Sequence, residues 1–419
     1  MENGIITKIE FYKADNSEDA GNAVIMPGVI DAHVHINEPG RAEWEGFDTA
    51  TKAAAAGGST TVVDMPLNSS PVTTSVQSLK EKVAASNNQL HVNCGFYGGL
   101  IPGNENELKG LIEGGVLGIK CFLVDSGIDE FPNVTKEDLE KAMPILASYN
   151  IPLLGHCELE SEIPDNDFSN HPKSYSHYLA SRPKKWENDA INLMIGLSAK
   201  HDCPIHIVHV SSAEALLSIE KAKEKGLKVT AETCAQYLYF NAEDIPDGQT
   251  IYKCAPPIRE KANNELLKEA LKKGVLDFIA TDHSPAPPSL KEIESGNLQK
   301  AWGGIAGIQF LLPASWTAMK EQMSLEQFIP LLTSQPAAFL KSDHKKGKIA
   351  IGFAADLVCW NPEKQFTATL DNVQFKHKIS PYIGKQFFGE VEQTIVNGDT
   401  VFLKNEFIHL KKGKWLHHQ

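Results

Sequence analysis

Six side chains in this sequence have the chemistry of metal ligands or proton carriers, and each closes a short apolar run. His33 and His35 end Asp31-Ala-His-Val-His35, and Lys120 lies in Gly118-Ile-Lys-Cys-Phe122. His156 lies in Leu153-Leu-Gly-His-Cys157, His209 ends Ile205-His-Ile-Val-His209, and Asp282 lies in Ile279-Ala-Thr-Asp-His283. Residues i and i+2 of an extended strand project to the same side, so two imidazoles at that spacing can face one ion. A lysine in an apolar strand is costly unless it is paired or modified. Each residue alone has a plainer reading: a core histidine, a snorkelling lysine, a loop aspartate. Together they place imidazoles, a carboxylate and an amine at equivalent positions, which is the pattern of a divalent-metal site that activates water. His206, in mid-strand, reads as a network histidine, and His283 as an outer partner of the site.

Short β-rich runs alternating with longer amphipathic ones must position these residues. The β-rich runs fall at 29–33, 60–65, 91–96, 117–122, 152–157, 205–210, 228–232 and 277–282, with helical patterns at 75–85, 136–148, 187–200, 213–225 and 263–273. Thr135 stands three residues before Asp138, and Ser211-Ser212 precede Glu214, as N-cap signals do. Eight strand-then-helix units predict an α/β fold of the (β/α)8 TIM-barrel type over residues 27–344, with catalytic groups at the C-terminal ends of the strands. The tail is turn-rich and strand-rich (GKIAIG, ADLVCWNP, QFTATL, VEQTIVNGDTVF), as are the first residues. Residues 1–26 and 345–419 are therefore expected to form a small β-sandwich domain. Its first strands are expected to be cut short, because Met1-Glu-Asn-Gly-Ile-Ile-Thr-Lys-Ile9 reads as the middle of such a domain.

Composition narrows the function classes. The 419 residues are 42% hydrophobic and 22% charged, enough for a large core and against wholesale disorder. Forty basic against 53 acidic residues give a net charge of −13, which argues against nucleic acid or an anionic membrane as the main partner. No apolar run reaches the roughly 18 residues of a spanning helix, and the N-terminus carries no signal-peptide pattern. The seven cysteines are odd in number and form no CxxC pair, so reduced buried thiols and a cytoplasmic location are expected.

The opening Pro27-Gly-Val-Ile-Asp-Ala-His-Val-His35 and the closing Gly347-Lys-Ile-x-x-Gly-Phe-Ala-Ala-Asp-Leu-Val358 resemble the cyclic amidohydrolases, a family that includes dihydroorotase, hydantoinase and allantoinase. The resemblance implies two divalent ions (zinc, with cobalt, manganese or iron as alternatives) bridged by an N6-carboxylated Lys120. It implies that His33, His35 and Asp282 hold one ion and His156 and His209 the other, with Asp282 as proton shuttle. It also implies a homo-oligomer, dimer or tetramer. Within the family, Asn37–Gly46, Met65–Asn68, Ser126–Pro132, Asp282–Pro285 and Ala301–Gly307 are most similar to allantoinases. That implies hydrolysis of (S)-allantoin to allantoate in purine catabolism, with Asn37, Asn68, Ser126, Ser284 and Gly303 as substrate contacts. Dihydroorotase and hydantoinase or dihydropyrimidinase are the alternatives, and a non-catalytic scaffold homologue is a third. Dihydroorotases usually carry an arginine at the position of Asn37 to grip the substrate carboxylate. Arg41 reads equally as a loop ion pair or a substrate contact. At strand seven, where relatives often have Pro-His after Glu-Thr-Cys, this chain has Ala235-Gln236.

Overall fold

A computed structural model describes residues 1–10, 17, 19–160, 166–409 and 411–418. Residues 11–16, 18, 410 and 419 of the expected terminal unit, and 161–165 of the expected barrel, lie outside the described residues. After β1 (Val24–Pro27) come β2 (Val29–Val34), β3 (Ser59–Asp64), β4 (Asn93–Phe96) and β5 (Gly98–Gly99). β6 (Ile119–Phe122), β7 (Leu153–His156), β8 (Ile205–Ile207), β9 (Val229–Cys234) and β10 (Phe278–Ala280) follow. From β2 to β10, neighbouring strands of these sheets pair in parallel, with β4 and β5 sharing one barrel position. The barrel closes where Val34 bridges His283 and the His35 N–H donates to the His283 carbonyl at 2.7 Å. All eight expected strands are present, most of them shorter by a residue or more.

Two apolar layers hold the barrel. Ile30, Ala32, Val63, Met65, Leu154, Val208 and Phe278 fill its interior, while Val29, Val34, Val62, Leu153 and Ile279 pack outward against the helices. That in–out alternation is the period of two expected of strands. In β2 the register with β3 is irregular twice, between Val29 and Ile30 and between Asp31 and Val34, and at the second the alternation breaks. Ile30 and Ala32 face the interior below the break, and His33 and His35 face the cavity above it. Irregularities of this kind re-aim side chains at barrel rims.

Helix starts show where local signals held. The Thr135 hydroxyl accepts the Asp138 N–H at 3.3 Å and the Asp138 carboxylate accepts the Thr135 N–H at 2.9 Å, which opens the helix Lys136–Tyr149. Ser211 and Ser212 do not cap their helix. Their N–H groups donate instead to Glu187 Oε1 at 2.7 and 2.8 Å. Their hydroxyls bind the Pro257 carbonyl and Asn188. Both hydroxyls are spent as donors to other elements, and the Ala213 N–H at the helix start goes to Asn263 Oδ1 at 2.9 Å.

The chain ends build the second unit. β11 (Leu357–Thr367), β12 (Gln386–Val396), β13 (Asp399–Leu403) and β14 (Glu406–Phe407) join β1 in one antiparallel sheet of order β1-β11-β12-β13-β14. Ile5 bridges Glu2 and Ala354 beside it. GKIAIG, expected to be strand-like, forms turns. The last strand, β15 (Trp415–Leu416), leaves this sheet and pairs in parallel with β4 through Cys94 and Gly95. All seven cysteines are buried and none is in a disulfide. No helix among the described residues is long and apolar enough to cross a membrane.

Candidate metal centre

The strand ends converge on a cavity of about 410 Å³ lined by all six expected ligands, His33, His35, Lys120, His156, His209 and Asp282. Asp282 Oδ1 lies 3.2 Å from both His33 Nε2 and His35 Nε2. These three residues offer ligand atoms that lie within 4.8 Å of one another. The His209 ring sits 5.5 Å from that of His33 and 4.6 Å from that of His156, which stacks on Phe122 at 4.4 Å. Lys120 Nζ is buried without a hydrogen-bond partner, 5.1 Å from the Phe122 ring. His209 and Asp282 both hold left-handed backbone, at φ 40° and 46°. Such conformations are costly for residues other than glycine and gather at functional sites.

Electrostatics divide the cluster by role. Burial pushes the imidazoles of His35, His156 and His209 below their ordinary range, so they stand neutral with lone pairs available. Burial alone would raise the Asp282 carboxyl, but His33 and His35 hold it well below the usual range. Burial would also lower His33, yet Asp282 and Glu232 carry it up to about 9. Burial brings the Lys120 amine down to about 8. Neutral imidazoles, an ionised carboxylate and a deprotonatable amine form a donor set for divalent cations such as zinc, cobalt, manganese or iron(II).

Outer residues fix the rings. Glu232 lies between His33 Nδ1 (2.5 Å) and His206 Nε2 (3.2 Å), and His206 Nδ1 meets Thr230 Oγ1 at 2.8 Å. His206 is thus the network histidine expected of its mid-strand position. Glu158 holds His156 Nε2 at 2.8 Å and is itself held by Arg182 Nε at 2.9 Å. Asp64, paired with buried Lys82, accepts the Ile36 N–H at 2.7 Å and anchors the loop leaving the HxH strand. Sequence reasoning passed over Glu232, Glu158 and Arg182. The signals were there: an acid inside the buried strand Val-Thr-Ala-Glu-Thr-Cys, and another two residues after His156. His283 turns away from the cavity, its Nδ1 accepting the Gly307 N–H at 3.1 Å.

Of the expected substrate contacts, Asn68, Ser126, Ser284 and Gly303 line the cavity. Asn68 also reaches His35 Nδ1 at 3.3 Å, and the Ser126 hydroxyl is spent on its own loop, donating to the Phe131 carbonyl at 2.6 Å. Asn37 requires correction: it does not line the cavity. β2 ends at Val34, and Asn37 takes φ 68°, which breaks the alternation that would have pointed it with His33 and His35. It is fully buried, and its amide donates to the Pro285 carbonyl at 3.3 Å. Arg41 pairs with Glu130 at 2.9 Å, clipping two rim loops together rather than entering the cavity. Gln236 is buried outside the lining. Gly304 closes the wall at φ 155°, where a Cβ would come within 2.4 Å of the Ser284 carbonyl oxygen.

The amidohydrolase family matches residues 24–401. The allantoinase of Arabidopsis thaliana is 46% identical over 418 residues, covering 95% of this chain and 82% of that protein. The allantoinase of Saccharomyces cerevisiae is 41% identical over 406 residues, covering 96% and 87%. Among solved structures, an L-hydantoinase (dihydropyrimidinase) from Arthrobacter aurescens superposes with a TM-score of 0.94 over 100% of this chain and 95% of its own, at 28% identity. A match across nearly the whole barrel, together with likeness in both sequence and fold, establishes that the chain belongs to the amidohydrolase family.

Proposed function

We propose that this protein is an allantoinase, a hydrolase that opens the hydantoin ring of (S)-allantoin to allantoate in purine catabolism. The observation that carries the reading is the convergence of His33, His35, Lys120, His156, His209 and Asp282 on one cavity in a chain so similar to plant and yeast allantoinases. The donor set fits two divalent ions. His33, His35 and Asp282 would hold one, His156 and His209 the other, and an N6-carboxylated Lys120 would bridge them. The buried, unpartnered Lys120 amine supports this assignment. A lysine brought down to about 8 keeps on the order of a tenth of its amine neutral near pH 7, ready to add CO2. The ions would polarise the scissile carbonyl and lower the pKa of water.

The chain's own groups do the rest. Asp282 takes the proton of the attacking water and delivers it to the ring nitrogen as the C–N bond breaks and the new C–O bond forms. Asn68, Ser126, Ser284 and Gly303 contact the ring and its ureido arm. Glu158 and Glu232 keep the imidazoles oriented.

Ring choice follows from the cations of the wall. Arg182 is engaged by Glu158, and Lys253 Nζ by the Ala301 carbonyl at 2.5 Å. Lys300, also in the lining, is exposed, and Lys120 is committed to the ions, so among the described residues a ring bearing a carboxylate, such as dihydroorotate, meets no further buried cation, and an unpartnered buried carboxylate is costly. The neutral ureido group of allantoin avoids that cost. The test is a panel of allantoin, hydantoin, dihydrouracil and dihydroorotate on the metal-loaded protein. Allantoin should exceed dihydroorotate by about a hundredfold in kcat/KM, or roughly 2.7 kcal/mol of transition-state binding. Preference for hydantoin or dihydrouracil, the reading favoured by the fold likeness to L-hydantoinase, would overturn the substrate assignment. A cytoplasmic location accords with seven buried cysteines outside any disulfide. A dimer or tetramer is expected from the family resemblance and is checked by sedimentation.

A further inference from the structure

The cavity wall at residues 299–304 is fastened by two lysines. Lys291 Nζ donates to the Trp302 carbonyl at 3.0 Å and the Gly304 carbonyl at 2.8 Å. Lys253 Nζ donates to the Ala301 carbonyl at 2.5 Å and reaches the Gln299 carbonyl at 3.4 Å. Lys291 is only 3% exposed. Neither lysine takes part in any ion pair among the described residues. Burial presses both amines down, Lys253 to about 8 and Lys291 to about 7, and Arg182 and Lys253 add repulsion, respectively. A cation buried without an acid costs stability. What these two gain in exchange is four carbonyls of one short segment.

The consequence lies on the cavity side. Further backbone bonds fix the segment, with the Trp302 N–H on the Leu290 carbonyl at 2.7 Å and the Gly304 N–H on the Lys253 carbonyl at 2.8 Å. The N–H and carbonyl of Gly303 itself have no protein partner among the described residues, and Gly303 lines the cavity. Facing it, Ala255 lines the cavity too, on a segment whose other carbonyls are taken by hydroxyls. Tyr178 holds the Cys254 carbonyl at 2.6 Å, Tyr237 that of Pro256 at 2.8 Å and Tyr175 that of Ile258 at 3.0 Å. The Trp302 ring, gripped at its carbonyl by Lys291, packs edge-on against Trp44 at 5.0 Å and joins the wall to the loop after β2.

We propose that Lys253 and Lys291 are positioning residues for the reaction. Their Nζ groups hold the carbonyls of 299, 301, 302 and 304, so that the Gly303 peptide is presented to the substrate ring in one fixed place. Neither lysine touches substrate in this role. Wall geometry set in advance lowers the ordering cost of binding, so its loss falls on KM before kcat. The proposal rests on the cyclic-amide reading for its kinetic part and on the wall contacts alone for its structural part.

The test uses the metal-loaded full chain and the variants Lys291→Met and Lys253→Met, which keep side-chain length and remove the donors. Amides of 299–304 should exchange hydrogen for deuterium about tenfold faster in either variant, with the barrel strands unchanged. KM for allantoin should rise about tenfold, with kcat within about threefold and metal content unchanged. Unchanged exchange at 299–304 in folded variants overturns the proposal. Faster exchange with an unaltered KM also overturns it, because the lysines would then serve the fold alone. If Lys291→Met does not fold, Lys253→Met, nearer the rim, decides by the same readouts. If the wild type opens none of the four rings, the cyclic-amide reading fails while the exchange result still decides the clamp.

Discussion

Replacing Glu232 by Gln is the most informative single perturbation of the site. Glu232 is 1% exposed, yet its carboxyl is held down at about 2: burial pushes it up, and His33 and His206 pull it down further. Gln keeps the shape and one oxygen for His33 Nδ1 and can offer its amide to His206, so the change isolates the charge. The gap between an ordinary 4.5 and about 2 corresponds to roughly 3 kcal/mol of stabilisation by the ionised form. The sign follows from a depressed folded-state value. The contribution is full above about 4.5 and is lost as pH falls from there toward about 2. Urea unfolding at neutral pH should therefore show Glu232→Gln less stable by roughly 2–3 kcal/mol, with a shallower loss of stability on acidification. His33 loses the partner that fixes its ring, so metal retention after dialysis against a chelator should fall about 10–100-fold. A variant as stable as the wild type at neutral pH, with equal metal retention, would refute the reasoning.

Lys120→Ala should abolish turnover, and short-chain carboxylic acids should restore part of it by standing in for the carbamate; the check is activity with added acetate or propionate. Asp282→Asn should keep at least one metal by elemental analysis yet lose about 10²–10⁴-fold in kcat, the usual share of general acid–base catalysis. Lys291, brought down to about 7 from 10.5 when folded, binds fewer protons in the native than in the unfolded chain between those values. Stability should therefore rise with pH across that window, and Lys291→Met should flatten the rise in chemical denaturation series.

The eight barrel strands and the six rim residues were legible in the sequence because both are local facts. Apolar β-branched runs between turn signals specify strands, and HxH spacing aims two imidazoles to one side whatever the rest of the chain does. The Thr135–Asp138 box was legible for the same reason, since both partners lie within one turn. Asn37 was misplaced because one left-handed residue past the end of β2 undoes strand alternation, and nothing at that position announces it. The Ser211-Ser212 cap failed because both hydroxyls donate to distant groups, the Pro257 carbonyl and Asn188, and Asn263 supplies the acceptor for the Ala213 N–H. Barrel closure alone sets Asp282 3.2 Å from His33 and His35, and Glu232 between His33 and His206. The lysine clamp on 299–304 is likewise invisible in sequence, where Lys253 and Lys291 are two of many lysines. Burial gives them their role: away from water and without an acid to meet, an ammonium group must take backbone carbonyls, and only the folded chain decides which.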